Sequence, residues 1–145
     1  MSYIPKAIRE AVFERAQGLC EYCQTAKIVV ATIEIDHIIP ASEGGLTTLD
    51  NLCLSCRSCN NSKQGYITGI DPATKTEVSL FNPRTDSWHE HFEWSEDGLT
   101  IIGLTETGRA TIHRLDMNKK NLVESRQLWV SVGWHPPKQG KFPLK

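Results

Sequence analysis

The stretch Cys56–Lys63, with the sequence CRSCNNSK, contains two cysteines in the spacing Cys-x-x-Cys. A second pair with the same spacing, Cys20 and Cys23, lies upstream and is separated from the first by 32 residues. The two-residue spacer lets both thiolates of a pair approach one ion at about 2.3 Å, and two pairs complete the tetrahedral coordination of zinc. The sequence therefore predicts one structural zinc bound by all four cysteines, Cys20, Cys23, Cys56 and Cys59.

The chain has five cysteines, and the odd number leaves Cys53 outside the two pairs. Cys53 could compete with Cys56 as a zinc ligand, or it could be a small buried hydrophobic residue. In a reducing compartment, cysteine pairs of this spacing favour a metal over disulfides. Two other interpretations remain open at this point: free buried thiols, and a thiol redox protein that uses its Cys-x-x-Cys pairs.

The 145 residues, of which 39% are hydrophobic and 23% are charged, are typical of one globular domain. The formal net charge is -1, so any contact with nucleic acid has to be local. No apolar run approaches the roughly 20 residues of a membrane span, and the first residues lack the apolar block of a signal peptide. We therefore expect a cytoplasmic protein with no membrane partner.

Charge is distributed unevenly along the chain. Residues 109–145 contain eight Lys or Arg residues and two Asp or Glu residues, whereas residues 71–106 contain two and eight, respectively. Two interpretations fit this pattern equally well: two solvated faces that pair with each other, or a basic surface that binds phosphates.

Hydrophobic periodicity predicts several short elements in the first half of the chain. Apolar residues at helical intervals between Pro5 and Gly18 predict an amphipathic helix before the first cysteine pair. Two β-branched runs, residues 28–30 and 33–39, predict strands. A short polar helix is expected over residues 57–63.

The second half of the chain has weaker signals. A strand is expected over residues 76–81, and the Asp-Gly dipeptide at 97–98 predicts the turn of a β-hairpin. Two helices are expected to follow, with Thr105 or Thr107 as the N-cap of the first and Asn118 as the N-cap of the second.

Four polar residues around the cysteine pairs carry a resemblance to a known family. Asp36 and His37 lie at the end of a predicted strand, Asn51 lies in the following loop, and Asn60 directly follows the last paired cysteine. Together with an Asp-His-Ile-x-Pro stretch, a Gly-Gly loop and the sequence Cys-x-x-Cys-Asn-x-x-Lys, they occur in the order found in HNH endonucleases. Residues 20–63 thus resemble HNH endonucleases of bacterial or phage type, in the subtype with four zinc-binding cysteines.

The resemblance implies an α+β fold with a ββα-metal core, also called a His-Me finger, joined by the zinc site. An N-terminal helix and a C-terminal extension of one β-hairpin and two helices complete the expected architecture. We expect a single domain, 1–145, made of the helix (1–19), the nuclease core (20–66) and an extension (67–145) that packs on the core.

The same resemblance assigns roles to individual residues. His37 would be the general base, Asn51 would hold the loop that follows the base, and Asp36 and Asn60 would bind a catalytic Mg²⁺ or Mn²⁺. A neutral imidazole is a suitable base near pH 7, and Mg²⁺ prefers oxygen ligands. Histidine is usual in the family at the position of Asn60, and its absence disfavours softer transition metals. Asn61 could be the ligand instead of Asn60.

Strand geometry limits how Asp36 and His37 can both face one metal ion. Adjacent strand residues point to opposite faces, so Asp36 and His37 can face one ion only if the strand ends or bulges there. We expect such an end or bulge. Arg57 and Lys63 of the short helix could contact phosphates of nucleic acid, or they could be ordinary solvated residues.

The resemblance predicts a metal-dependent endonuclease that hydrolyses DNA phosphodiester bonds by nicking or double-strand cleavage. Duplex DNA is the expected partner, with low sequence specificity because a phosphate-directed site reads the backbone. The expected state is a monomer or homodimer. The alternative is a catalytically inactive zinc module that binds nucleic acid. The basic extension could help to hold the duplex, and charge reversal at Arg109 or Arg126 would test this by its effect on DNA affinity.

Overall fold

Short helices and strands alternate along the chain, in the α+β arrangement that the sequence predicts. The computed structural model describes residues 3–138. In chain order the elements are α1 (Lys6–Ala16), α2 (Lys27–Val30), β1 (Ile33–His37), β2 (Leu52–Cys56), α3 (Arg57–Lys63), β3 (Thr68–Ile70), β4 (Glu77–Ser79), α4 (Trp88–His91), β5 (Phe92–Trp94), β6 (Ile101–Gly103), α5 (Glu106–Leu115) and α6 (Lys120–Ser131). Three antiparallel pairs form: β1–β2, β3–β4 and β5–β6. Within residues 3–138, no helix has the length and apolar character needed to cross a membrane.

Helix α1 confirms the predicted N-terminal amphipathic helix. It begins after Pro5, which has no amide hydrogen to leave unpaired in the first turn, and it ends at Gln17, whose φ of 54° is left-handed. Val12 on its inner face is fully buried and packs with Leu52 and Leu54 of β2. The helix therefore covers one face of the β1–β2 hairpin.

The β1–β2 hairpin presents different chemistry on its two faces. Because side chains alternate along a strand, Ile33 and Ile35 pack towards α1, whereas Glu34 and Asp36 contact α3. Helix α3 follows β2 without an intervening loop. The chain therefore forms the ββα unit that the resemblance implies.

The strand predicted over residues 28–30 is wrong, because this segment forms the single helical turn α2. The amides of Val29 and Val30 bond to the Ala26 carbonyl, and Ala31 ends the turn with a φ of 67°. β-branched residues favour a strand only where a partner strand pairs with them, and β1 pairs with β2 instead. The turn redirects the chain from the first cysteine pair into β1.

The extension contains two hairpins rather than the single one predicted. The β5–β6 hairpin turns at residues 97–98 as expected, and Gly98 has a φ of 76°. The other hairpin, β3–β4, includes part of the strand predicted over 76–81. Strands of three residues are too short for an alternating pattern to stand out, so β3 had no sequence signal.

The two predicted C-terminal helices are present as α5 and α6. Thr105 caps α5, since its hydroxyl accepts a hydrogen bond from the Gly108 amide at 3.0 Å. The N-cap predicted at Asn118 is wrong: this side chain bonds to the amide and the carbonyl of Ile101, both at 2.8 Å. Lys119 precedes α6 instead. Asn118 thus holds β6 against the loop between the two helices.

The core segment and the extension share one hydrophobic cluster. The cluster contains all five cysteines together with apolar residues of the extension, among them Phe81, Phe92 and Leu115. The Trp88 indole donates to the Tyr22 carbonyl at 2.7 Å, which ties the extension to the turn between the first two cysteines. Burial of the cysteine pairs therefore depends on side chains from both segments.

Candidate active site and zinc cluster

The four paired cysteines converge on one buried point. Their sulfur atoms all lie within 4.8 Å of one another. A tetrahedral zinc site with Zn–S bonds of 2.3 Å places its sulfurs about 3.8 Å apart. The spacing and the donor type therefore fit a zinc ion held by Cys20, Cys23, Cys56 and Cys59, as predicted from the sequence.

Local backbone structure forms each half of this cluster. The first pair lies in a turn closed by the bridge between Leu19 and Ala26, and the Cys23 amide points at the Cys20 sulfur at 3.4 Å. The second pair spans the β2–α3 junction, where the Cys59 amide points at the Cys56 sulfur at 3.5 Å. Amide hydrogens aimed at the sulfurs stabilise thiolate character, which is the form that binds metal.

Cys53 lies outside this group of four sulfurs, although it belongs to the same hydrophobic cluster. Its thiol faces the Tyr22 hydroxyl at 3.5 Å, and burial raises the pKa of Cys53. Of the two interpretations left open for this residue, the structure favours a small buried side chain over a competing zinc ligand.

His37 is the last residue of β1 and is half-buried. Its Nε2 atom lies 2.9 Å from the Thr47 hydroxyl, in the long loop between β1 and β2. Thr47 had no sequence signal, because nothing local relates a residue of β1 to one ten positions later. The imidazole therefore has a defined hydrogen-bond partner on one of its two nitrogens.

Asn51 holds the two ends of that loop together. Its Oδ1 accepts from the Ile39 amide at 2.9 Å, and its Nδ2 donates to the carbonyls of Ile39 at 2.9 Å and Leu46 at 2.8 Å. The Asn51 carbonyl also accepts from the Ile38 amide at 2.9 Å. These bonds occupy the backbone beyond His37, which explains why β1 ends there and not at Ile39 as predicted.

Gly45 allows the loop to close on this asparagine. A Cβ atom at this position would lie 1.6 Å from the Ile39 carbonyl oxygen and 2.8 Å from Asn51 Nδ2. Such distances are far inside van der Waals contact, so only glycine fits there without movement of the loop. The Gly-Gly stretch of the sequence thus has a packing role at its second position.

Asp36 points away from His37, into the interior between β1 and α3. Its Oδ2 accepts a hydrogen bond from the Tyr22 hydroxyl at 3.2 Å and pairs with the Lys63 ammonium at 3.1 Å. Burial raises the pKa of Asp36, and the positive charge of Lys63 opposes that shift. The strand stays regular through His37 and then ends without a bulge, so the two side chains lie on opposite faces.

Lys63 is buried, so the prediction that it contacts phosphates of nucleic acid is wrong. Its residue exposure is 1%, and its ammonium also donates to the carbonyls of His37 at 3.3 Å and Ile38 at 3.1 Å. An amine with these partners is out of reach of a DNA phosphate. Lys63 supports the site from within, whereas Arg57, whose side chain is 65% exposed and 3.7 Å from Glu34, remains accessible.

Asn60 lies on α3 and reaches back to β1. Its Nδ2 donates to the Glu34 carboxylate at 2.8 Å. Glu34 was missed in the sequence, although its position two residues before Asp36 puts it on the same strand face. Asp36 and Asn60 thus both belong to the β1–α3 contact, while each has its own hydrogen-bond partner. Asn61, the alternative ligand, is exposed.

The two arginines singled out in the extension are structural. Arg109 forms a two-pronged ion pair with the buried carboxylate of Asp71, at 3.0 and 2.9 Å, and Arg126 is fully buried. The count of basic residues in the extension therefore overstates its surface charge. Neither arginine is a suitable probe of DNA contact.

Comparison with known proteins identifies the class of the cysteine-containing segment. Residues 20–65 match the family described as HNH endonuclease, which confirms the resemblance drawn from the sequence. The chain is also similar to the Septu protein PtuB of Bacillus mycoides (strain KBAB4), with 28% identity over 153 residues. That match covers 86% of this chain and 51% of the relative, so the chain spans about half the length of this relative. No solved structure matches the chain.

Proposed function

We propose that this protein is a metal-dependent endonuclease that hydrolyses DNA phosphodiester bonds, with His37 as the general base. The observation that carries the proposal is the His37 imidazole, which is held through one nitrogen by Thr47 at the end of a strand in an HNH segment. Hydrolysis requires a water made nucleophilic near neutral pH, and a positioned imidazole supplies this.

The hydrogen bond to Thr47 suits this role. When Nε2 carries the ring hydrogen and donates it to the Thr47 hydroxyl, Nδ1 is left with a lone pair that can accept a proton from water. Asn51 fixes the backbone that follows His37, which limits the positions the imidazole can take.

The β1–α3 contact offers oxygen donors for a catalytic Mg²⁺ or Mn²⁺. Tyr22 and Lys63 contact Oδ2 of Asp36, and Glu34 contacts Nδ2 of Asn60. Oδ1 of each side chain is a hard oxygen of the kind that such an ion prefers. A divalent ion bound there would supply positive charge to a phosphate as negative charge develops on it. Because Asp36 and His37 lie on opposite faces of β1, both could act on one phosphate only where it lies beyond the end of the strand. The positive charge of Lys63 opposes the rise in the pKa of Asp36 that burial causes, so we assign Lys63 a positioning role.

Contacts with DNA would come from the accessible side of α3. The exposed Arg57 can contact a backbone phosphate, which gives affinity without reading the sequence. We propose duplex DNA as the substrate and a cytoplasmic location, where reducing conditions keep the four thiols available for zinc. A monomer would nick one strand, whereas a homodimer could cut both.

The decisive experiment follows conversion of supercoiled plasmid to nicked and linear forms with Mg²⁺, Mn²⁺ or EDTA. We expect metal-dependent cleavage, and a decrease of at least about 100-fold in His37→Ala, the usual contribution of a general base. His113→Ala is the matched control, because His113 is exposed on α5 and should leave the rate unchanged. Equal cleavage by wild type and His37→Ala would contradict the assignment.

The second candidate is a zinc module that binds nucleic acid without cutting it. It is favoured by Asn60, which replaces the usual imidazole and whose amide is engaged by Glu34. Folded, zinc-loaded protein that shifts the plasmid in a gel but cleaves it with neither metal would establish this alternative.

A further inference from the structure

Arg126 is a fully buried cation whose hydrogen-bond partners are all neutral. It lies on α6, and its guanidinium donates to the carbonyls of Leu99 at 3.0 Å and Met117 at 2.7 Å, and to Asn118 Oδ1 at 3.1 Å. Its Nε hydrogen is buried without a partner among the described residues. Neutral acceptors satisfy most of its hydrogens but leave its positive charge without a counter-charge.

Among residues 3–138, no carboxylate forms an ion pair with Arg126. Four ion pairs occur among residues 3–138, and Arg126 belongs to none of them. An unpaired charge in the interior is costly, so an anion buried nearby would stabilise it.

The neighbours of Arg126 lead to the cysteine cluster. The guanidinium lies 5.1 Å from the centre of the Trp94 ring. The Trp94 indole in turn donates to the side chain of Gln24, the residue that follows Cys23, at 2.8 Å. Leu122, one turn earlier on α6, lines a cavity of about 460 Å³ that Cys56 also lines. Leu122 of α6 thus faces Cys56 across this cavity, and Trp94 links Arg126 to the turn that holds the first cysteine pair.

Electrostatics point the same way. Burial lowers the pKa of Arg126, whereas the charges of nearby thiolates, including those of Cys23 and Cys59, raise it. Geometry agrees, because the Met117 carbonyl accepts from Arg126 and Met117 belongs to the same buried hydrophobic cluster as the four cysteines. Four thiolates around one Zn²⁺ carry a net charge of minus two, which gives the interior the anion it lacks.

We propose that Arg126 is the counter-cation of the zinc–tetrathiolate cluster, a positioning residue that draws charge away from the sulfurs and slows loss of the metal. The proposal rests on the zinc site and not on nuclease activity. The extension, through α6, then completes the environment of a metal held by the nuclease core.

Other buried cations and titratable groups near the cluster do not fill this role. His135 packs against Trp94, but burial and the charge of Arg126 lower its pKa to about 4, so it is neutral at pH 7. Lys63 is paired with Asp36. Among the described residues, Arg126 is the buried cation left to balance the cluster.

The experiment replaces Arg126 with Gln and with Lys in the full chain and measures zinc transfer to a chromogenic chelator. We expect Arg126→Gln to lose zinc about 10- to 100-fold faster than wild type, the usual cost of removing a group that supports a metal ligand. Arg126→Lys keeps the charge and should restore a rate close to that of wild type. Equal rates in all three proteins would overturn the proposal.

A spectroscopic readout separates charge balance from a purely structural role. In the Co²⁺-substituted protein, removal of a nearby positive charge raises the energy of the thiolate electrons and shifts the sulfur-to-cobalt charge-transfer band to longer wavelength. We expect this shift in Arg126→Gln and not in Arg126→Lys. A Gln variant that is less stable but has an unshifted band would assign Arg126 to structure alone and overturn the proposal.

Two further variants keep the result interpretable. If Arg126→Gln fails to fold, Arg126→Met supplies the same readouts with an apolar chain that can stay against Trp94. Arg109→Gln is the matched control, because it removes an arginine of the extension that is paired with Asp71. It should lower stability but leave zinc transfer and the cobalt band unchanged. Wild-type protein that binds no zinc would overturn the zinc site and this proposal together, whatever its nuclease activity.

Discussion

Asn51 and Ile39 are joined by two hydrogen bonds: the Ile39 amide donates to Asn51 Oδ1 and Asn51 Nδ2 donates to the Ile39 carbonyl, each at 2.9 Å. An amide side chain matches a backbone unit in this way because it offers one donor and one acceptor in the same plane. The pair closes the loop two residues beyond His37. It therefore joins the position of the proposed base to the far end of the loop.

Asn51→Asp should lower the rate of plasmid cleavage by more than any loss of folded protein accounts for. A carboxylate has nearly the same shape but cannot donate, so the carbonyls of Ile39 and Leu46 both lose a partner. We expect a loss of about 0.5–1.5 kcal/mol in the free energy of unfolding for each bond, the net contribution of an ordinary hydrogen bond, because both carbonyls are only partly buried. Urea unfolding and the plasmid assay measure the two effects. A fully active Asp variant would show that the loop does not position His37.

Gly45→Ala should disrupt the same loop by a steric route. The new methyl group would collide with the Ile39 carbonyl, so the loop has to open and Asn51 loses its bonds. We expect a lower Tm and weaker cleavage. Gly65→Ala is the matched control, since its nearest neighbour would be a Pro40 side-chain carbon at 3.7 Å, an ordinary contact. Similar Tm values for the two variants would argue against the close packing at Gly45.

Thr47→Val should affect catalysis through the imidazole. Valine keeps the shape of threonine but offers no oxygen to His37 Nε2, so the ring loses its orientation and its preferred tautomer. We expect kcat to fall about 10-fold, a part of the 10²- to 10⁴-fold that a general base contributes, with KM unchanged. Thr48→Val is the control, because the Thr48 hydroxyl bonds to exposed Asp50. Equal kcat values in both variants would remove Thr47 from the mechanism.

Lys63→Met should leave Asp36 as an unpaired buried charge. We expect a loss of about 3–5 kcal/mol in the free energy of unfolding at pH 7. The double variant Asp36→Asn/Lys63→Met removes both charges and should recover much of this loss. A double variant no more stable than Lys63→Met would indicate that the ion pair is not what the lysine contributes.

The pH dependence of this effect has a definite sign. Burial already raises the pKa of Asp36, and without Lys63 it rises further. A carboxyl group whose pKa is higher in the folded state binds its proton more tightly there, so folding gains stability as pH falls through that pKa. The stability deficit of Lys63→Met relative to wild type should therefore shrink from pH 7 towards acid, as urea midpoints would record. A deficit that grows on acidification would contradict this account.

Cys59→Ala and Cys53→Ala should differ in metal content. Cys59 contributes one of four clustered sulfurs, whereas Cys53 faces Tyr22. We expect about one zinc per chain in wild type and in Cys53→Ala, and weak or no binding in Cys59→Ala, because structural zinc requires four ligands. Metal analysis of purified protein measures this. Loss of zinc in Cys53→Ala alone would exchange the roles of the two cysteines.

Local chemistry determined much of the fold and the zinc cluster from the sequence alone. The Cys-x-x-Cys spacing, the amphipathic helix α1, the polar helix α3 and the turn at residues 97–98 are each encoded within one or two turns of chain. Such signals depend on neighbouring residues and so can be found without knowing what packs against them. The resemblance to HNH endonucleases likewise depends on short motifs that occur in a fixed order along the chain.

Only the tertiary structure decided which side chains meet across the chain. Four contacts join residues that are distant in sequence: the pairing of β1 with β2, the burial of Lys63 against Asp36, the hydrogen bond between Thr47 and His37, and the contact of Arg126 with the Trp94 ring. A lysine looks the same in the sequence whether it is solvated or buried against a carboxylate. The difference is made by desolvation and by the partner that compensates it, and both exist only once the elements have packed.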